Sequence, residues 1–239
     1  MTWSIIAKDP ETGSFGVAVT TKFFAVGALC PHGAARIGAL ATQAFVNPLY
    51  GTDGLRLLAE GRSAEEIVGI LTASDLGRET RQLHVIDRDG STAAHTGGEC
   101  IDWCGHLADR GVSVAGNMLA GPAVIEATLE AFRTRARLTL PERLMAALDA
   151  GQAEGGDKRG RQSAAMKIWG AEPYPVLDLR VDDHAEPLAE LRRLYEVAHE
   201  RFVAFVEAMP TRADPGGITD RAWIDRRARE IQERGPRSS

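Results

Sequence analysis

The sequence is poor in cysteine: Cys30, Cys100 and Cys104 are the three thiols in 239 residues. So odd and sparse a set excludes a disulfide framework and suits a reducing compartment. Positive charge is not in excess either. A net charge of −5 leaves no electrostatic footprint for nucleic acid or for an anionic membrane surface. The apolar runs are too short to span a bilayer, and there is no internal repeat or low-complexity tract. Met1-Thr-Trp-Ser-Ile-Ile-Ala-Lys-Asp has no basic segment, long apolar stretch or small-residue cleavage site. No secretory signal is therefore expected, and the expected location is the cytoplasm.

What is present is the balance of a globular protein, with 44% hydrophobic and 26% charged residues, enough to bury a sizeable core. Thr2 to Lys8 and Phe15 to Thr21 have strand character around the turn residues Asp9-Pro-Glu-Thr-Gly13, which predicts a hairpin from the first residues. Residues 23–35, rich in Gly, Ala and Pro, read as a loop, and Ile37 to Val46 as a buried strand. A helix is expected from Gly54, and another from 64 to about 73 behind the capping box Ser63-Ala-Glu-Glu66. Further strands are expected at His84 to Asp87, Thr92 to His95, Val112 to Ala115, Ser163 to Trp169 and Leu177 to Val181. Helices are expected at Pro122 to Arg133, Pro141 to Ala153 and, as one long amphipathic element, Pro187 to Glu207. The tail after Pro210 has room for a short helix at 219–234, and its last residues read as disordered. The order does not alternate strand and helix, so a doubly wound parallel sheet is not expected. Two mostly antiparallel sheets with helices on their outer faces fit it better.

Several clusters carry possible chemistry. Lys158, Arg159 and Arg161 lie close together between a helix and a strand, as a clamp for carboxylate or phosphate or as a solvated basic loop. Gln43, Asn47 and Tyr50 follow the third strand, as pocket residues or as turn residues. Cys100-Ile-Asp-Trp-Cys104-Gly-His106, with His95, has zinc-ligand types but lacks the usual second ligand pair, so no metal is expected there. Asp182-Asp183-His184 reads as a strand end and helix cap rather than a cation site.

Four segments resemble the domain-of-unknown-function 1028 family, which is generally placed among the N-terminal-nucleophile (Ntn) hydrolases. They are Thr2-Trp-Ser-Ile-Ile-Ala, Phe15-Gly-Val-Ala-Val-Thr-Thr-Lys-Phe, Ala41-Thr-Gln-Ala-Phe-Val-Asn-Pro-Leu-Tyr-Gly and Ala153-Glu-Gly-Gly-Asp-Lys-Arg-Gly-Arg-Gln-Ser-Ala-Ala. Weaker echoes are Ala115-Gly-Asn-Met-Leu-Ala-Gly and Asp178-Leu-Arg-Val-Asp-Asp-His. The resemblance implies an α+β fold, a four-layer αββα sandwich over residues 1–209, followed by a polar tail at 210–239. It implies that Thr2, once Met1 is removed, joins a nucleophilic hydroxyl to an α-amine that titrates near neutrality. Thr2 is otherwise simply a β-branched strand starter. By the same resemblance, Lys22 or Arg36 would lower the amine pKa, Asp157 and Ser163 would orient the amine, and Asn117 would donate to an oxyanion; Lys22 and Arg36 otherwise read as solvated strand-end charges and Asn117 as a left-handed turn residue. Arg36, Gln43, Asn47, Tyr50, Arg159, Arg161 and Gln162 would bind substrate. The expected activity is hydrolysis of a small, carboxylate-bearing amide through an acyl-enzyme, with no cofactor and no metal. The alternative is an inactive Ntn-like binding or scaffold protein. The apolar 187–207 helix leaves room for a homo-oligomer interface.

Overall fold

The structure, a computed structural model, describes residues 2–234. Met1 and the end of the tail, on which the expectations of Met1 removal and of terminal disorder fall, lie outside the described residues.

Two antiparallel sheets make up the mixed α+β fold. The first has the strand order β10-β9-β2-β1-β8-β7, built from β1 (Thr2–Lys8), β2 (Phe15–Thr21), β7 (Trp103–Asp109), β8 (Val112–Leu119), β9 (Ser163–Trp169) and β10 (Pro175–Val181). The second has the order β3-β4-β5-β6, from β3 (Pro31–Ala34), β4 (Gly38–Ala44), β5 (Arg81–Asp87) and β6 (Thr92–Thr96). The expected β1–β2 hairpin forms, with Trp3 opposite Thr20 and Lys8 opposite Phe15. The other side of β1 pairs with β8, so that Thr2 faces Asn117.

Side-chain alternation assigns each strand two faces. Trp3, Ile5 and Ala7 of β1, with Val112 and Val114 of β8, pack beneath α3 (Ala123–Thr134), α4 (Leu140–Ala153) and α5 (Pro187–Val197). Leu40 of β4 and Leu83 and Val85 of β5 pack beneath α1 (Leu49–Ala59) and α2 (Ala64–Ala73). The remaining faces meet between the sheets, where Ile6, Val17, Val19, Ala39, Ala41, Ile86, Ala165 and Trp169 form one apolar cluster. The same faces carry Thr2, Ser4, Gln43, Gln82, His84, Ser113 and Asn117, all buried. The seam between the sheets is therefore apolar along one half and polar along the other.

Local chemistry sets the helix ends. Ser63 Oγ accepts from the Glu66 amide and the Glu66 carboxylate accepts from the Ser63 amide, completing the expected capping box at α2. At α4 the Glu142 carboxylate accepts from the Thr139 amide at 2.8 Å and from the Thr139 hydroxyl at 2.6 Å. The expected long helix starts at Pro187 but widens into a π-helical stretch at Ala198–Phe202 before α6 (Val203–Glu207). An apolar stripe spaced by three and four residues does not register such a bulge. In the tail, α7 (Arg221–Arg234) closes a small cluster with Ala204, Ala208, Ile224 and Ala228.

Two edge strands differ from the sequence expectation. Residues 31–34 pair with β4 as β3, although their Gly-, Ala- and Pro-rich surroundings read as loop. Pro31 is tolerated because it opens an edge strand, where a missing N–H costs no ladder bond. Residues 103–109 pair with β8 as β7, which carries Cys104 and His106. No helix among the described residues is long and apolar enough to cross a membrane.

Candidate active site

Thr2 begins the central part of the six-stranded sheet and is 7% exposed. Its hydroxyl donates to Thr21 Oγ1 at 3.1 Å, the residue that the β1–β2 register sets opposite it. Thr2 opens onto a cavity of ≈ 100 Å³ lined by Phe23, Val26, Leu29, Cys30, Thr42, Gln43, Ala44, Val46 and Arg159. The walls come from three segments: the chain after β2, the end of β4 and the α4–β9 connection.

Side-chain amides hold the main chain of Thr2 from both sheets. Gln43 Nε2 and Asn117 Nδ2 each donate to the Thr2 carbonyl at 3.4 Å. Both also donate to Gln82 Oε1, at 2.7 and 3.0 Å. Gln82 in turn donates to Thr96 Oγ1, Gly105 O and Gly116 O at 2.9–3.0 Å. Ser4 Oγ donates to Gln43 Oε1 at 2.7 Å and lies 2.8 Å from His84 Nε2, while His84 Nδ1 lies 3.1 Å from Ser113 Oγ. Buried polar groups are tolerable because they are paired in this way. Burial, reinforced by the nearby His106, pushes the His84 pKa down to about 3, so the imidazole is neutral.

The residues following these two amides are strained. Ala44 (φ 68°) and Met118 (φ 55°) occupy the left-handed region, immediately after Gln43 and Asn117. An L-residue with a Cβ pays roughly 1–2 kcal/mol there. Such strain persists only where the surroundings over-determine it, a condition concentrated at functional sites.

Asp157 is buried and forms an isolated bridge with Leu119, the last residue of β8. Its carboxylate accepts from the Lys22 amide at 2.8 Å, from the Arg159 amide at 2.8 Å and from the Arg159 guanidinium at 3.3 Å. Ser163 is also buried; its hydroxyl donates to Phe23 O at 2.6 Å and accepts from the Val26 amide at 3.2 Å. Asp157 thus fixes the start of the cavity wall and the position of Arg159, and Ser163 fixes the 23–26 segment. Burial pushes the Cys30 thiol up to about 12, with the Thr42 backbone acting weakly against it. The cavity floor therefore carries a neutral sulfur.

Of the residues expected from sequence, Thr2, Gln43 and Arg159 line one cavity, and Asn117, Asp157 and Ser163 adjoin it. The others are directed elsewhere. The Lys22 ammonium donates to Arg161 O at 3.2 Å, so its amide, rather than its charge, is what Asp157 engages. Arg36 (φ 62°) sits in the β3–β4 turn, and β4 runs from Gly38 to Thr42, about 13 Å of extended chain, before it reaches the cavity. Asn47 and Tyr50 donate to Asp75 at 3.1 and 2.8 Å. Burial opposes the Asp75 charge, but the bonds from Tyr50, Gly77, Asn47 and Arg81 outweigh it and hold that carboxyl at about 2. Arg161 pairs with Glu186, and Gln162 donates to Asp183 at 3.1 Å. The thiols of Cys100 and Cys104 donate to Arg81 O and Cys100 O at 3.4 and 3.5 Å.

Sequence reasoning missed Thr21, Gln82, Ser4, His84, Ser113 and the apolar lining. A signal for the polar set was present. Thr2 and Ser4, Gln82 and His84, and Ser113 and Asn117 are spaced by two or four residues, which puts each pair on one strand face.

The chain belongs to the DUF1028 family, a family of unknown function whose model matches residues 2–191. It is similar to a protein from Silicibacter pomeroyi of known crystal structure, assigned to the same family. The two are 35% identical, with a TM-score of 0.85 over 92% of this chain and 96% of that one. No curated protein matches the chain.

Proposed function

We propose that the protein is an amidohydrolase of the N-terminal-nucleophile type, that its two sheets and flanking helices are the four layers of an αββα sandwich, and that Thr2 is its nucleophile once Met1 is removed. The observation that carries the proposal is the placement of Thr2. Its hydroxyl is oriented by Thr21, its carbonyl is held by Gln43 and Asn117, and it opens onto a cavity with one cationic side chain, Arg159, in its lining.

In this mechanism the Thr2 oxygen attacks the amide carbonyl and its proton passes to the Thr2 α-amine. The C–N bond breaks, the leaving amine takes that proton, and an ester remains on Thr2. Water, deprotonated by the same amine, attacks the ester. The C–O bond then breaks, the acid leaves and the hydroxyl is restored. Gln43 and Asn117 position the Thr2 main chain, Asp157 and Ser163 position the cavity wall, and Arg159 receives a substrate carboxylate.

One observation favours the alternative of a binding protein without turnover. The Lys22 ammonium, expected beside the nucleophile, is engaged by Arg161 O. Turnover of a panel of small carboxylate-bearing amides separates the two. The hydrolase predicts activity that Thr2→Ala lowers by at least about 100-fold and Thr2→Ser retains. A binding protein predicts ligand affinity with no turnover in either form.

A further inference from the structure

The depth at which charge sits in the Thr2 cavity carries information about what fills it. The deeper members, Thr2, Val26, Cys30, Thr42 and Gln43, are buried. None of these side chains carries a charge, because the Cys30 thiol stays protonated. Their polar atoms are also engaged. Thr42 Oγ1 donates to Asn47 O at 3.3 Å, Cys30 Sγ is directed at Gln43 Oε1 at 3.8 Å, and the Gln43 amide serves the sheet seam. Arg159 carries the charge of the lining: its guanidinium is held by Asp157 at 3.3 Å and its side chain is 40% exposed, so it stands at the mouth. Phe23, 59% exposed, and Leu29, 38% exposed, flank that mouth with apolar surface.

We infer that the cavity takes a compact, uncharged aliphatic acyl group of about three to five carbons, carried by an amide whose amine side bears a carboxylate set against Arg159. The size follows from the volume. A cavity of about 150 Å³ holds a benzene ring, and this one is ≈ 100 Å³. Filling an apolar floor favours each added methylene until the space is used, whereas an acyl group bearing a charge or an unmatched hydroxyl would be desolvated without a partner. The substrate class is therefore short-chain N-acyl amino acids, and the inference rests on Thr2 being the acylated residue.

The test uses the full-length protein with Met1 removed and a series of N-acylglycines from acetyl to decanoyl. Binding is measured by calorimetry on Thr2→Ala and turnover on the wild type. The matching γ-keto acids, in which a methylene replaces the amide nitrogen, are titrated into the wild type as a second measure that does not depend on the folding of the variant. Affinity is expected to tighten about fourfold per carbon up to about five carbons and then to stop rising or fall. Glycinamide counterparts, which lack the carboxylate, should bind at least about tenfold more weakly. Arg159→Met should erase that difference while keeping the chain-length optimum, and Cys30→Leu should move the optimum to a shorter chain. Affinity that is flat in chain length, or equal for the acid and its amide, would overturn the inference. The chain-length optimum without turnover would support the short acyl pocket and sink the hydrolase proposal, and with it the reading of these molecules as substrates. Turnover that favours long or neutral substrates would do the reverse.

Discussion

At the scale of single residues, the buried polar seam makes the sharpest predictions. Gln82 is the hub, accepting from Gln43 and Asn117 and donating to Thr96, Gly105 and Gly116. Gln82→Leu leaves those partners unpaired at about 1–3 kcal/mol for each group that stays buried, so a loss of roughly 3–5 kcal/mol in urea unfolding is expected, together with a lowered kcat for the proposed hydrolysis because Thr2 is held less firmly. His84 predicts a pH dependence. Its folded pKa of about 3 lies below its ordinary value of 6.5, so the unfolded chain binds a proton that the native protein refuses. Stability should therefore fall as pH drops below about 6.5, by roughly 1.4 kcal/mol per unit, until the folded pKa is reached. Between pH 6.5 and 5, above most carboxylate titrations, His84→Gln should flatten that slope; an unchanged slope would place its origin elsewhere. Part of this seam was legible in the alternation of Thr2 with Ser4 and of Gln82 with His84. Which hydroxyl meets which amide was not, because it depends on the register between sheets, and no single strand encodes that.

At the scale of elements, legibility follows the strength of local signals. The α2 capping box and the β1–β2 hairpin stood out because a few adjacent residues specify them. β3 and β7 did not, because each is an edge strand stabilised by one neighbour rather than by its own pattern. The Asn47 and Tyr50 side chains, plausible as pocket residues from their position after β4, turn instead to Asp75, 25 to 28 residues further along the chain. Helix contacts yield a further prediction. Gly151 of α4 approaches α3 so closely that an added Cβ would lie 2.3 Å from Thr128 Oγ1 and 3.0 Å from Trp3 Nε1. Gly151→Ala should therefore cost about 1–3 kcal/mol, despite the higher helix propensity of alanine. Equal or raised stability in a denaturant titration would show that the two helices separate easily.

At the scale of the whole molecule, the cavity is made by Thr2, the chain after β2, the end of β4 and the α4–β9 connection, whereas the described residues of α7 pack in the small cluster with Ala204 and Ala208. Removal of residues 210–239 should lower the thermal midpoint by roughly 4–8 °C, for a loss of about 2 kcal/mol, and leave chemistry at Thr2 unchanged; loss of that chemistry with the fold intact would tie the tail to the site. The family resemblance was carried by segments that the fold gathers around this end of the sheets. The reactivity proposed for Thr2 was not legible in the same way, since a hydroxyl becomes a nucleophile only through its neighbours. The most direct measurement is covalent. The full-length protein with Met1 removed is treated with a short-chain acyl-activated ester that carries a carboxylate, digested, and analysed by peptide mass. One acyl adduct is expected on the peptide that begins at Thr2, absent in Thr2→Ala and blocked by N-acylglycines. Adducts confined to other residues, or none while the Thr2 amine is free, would contradict the role proposed for Thr2.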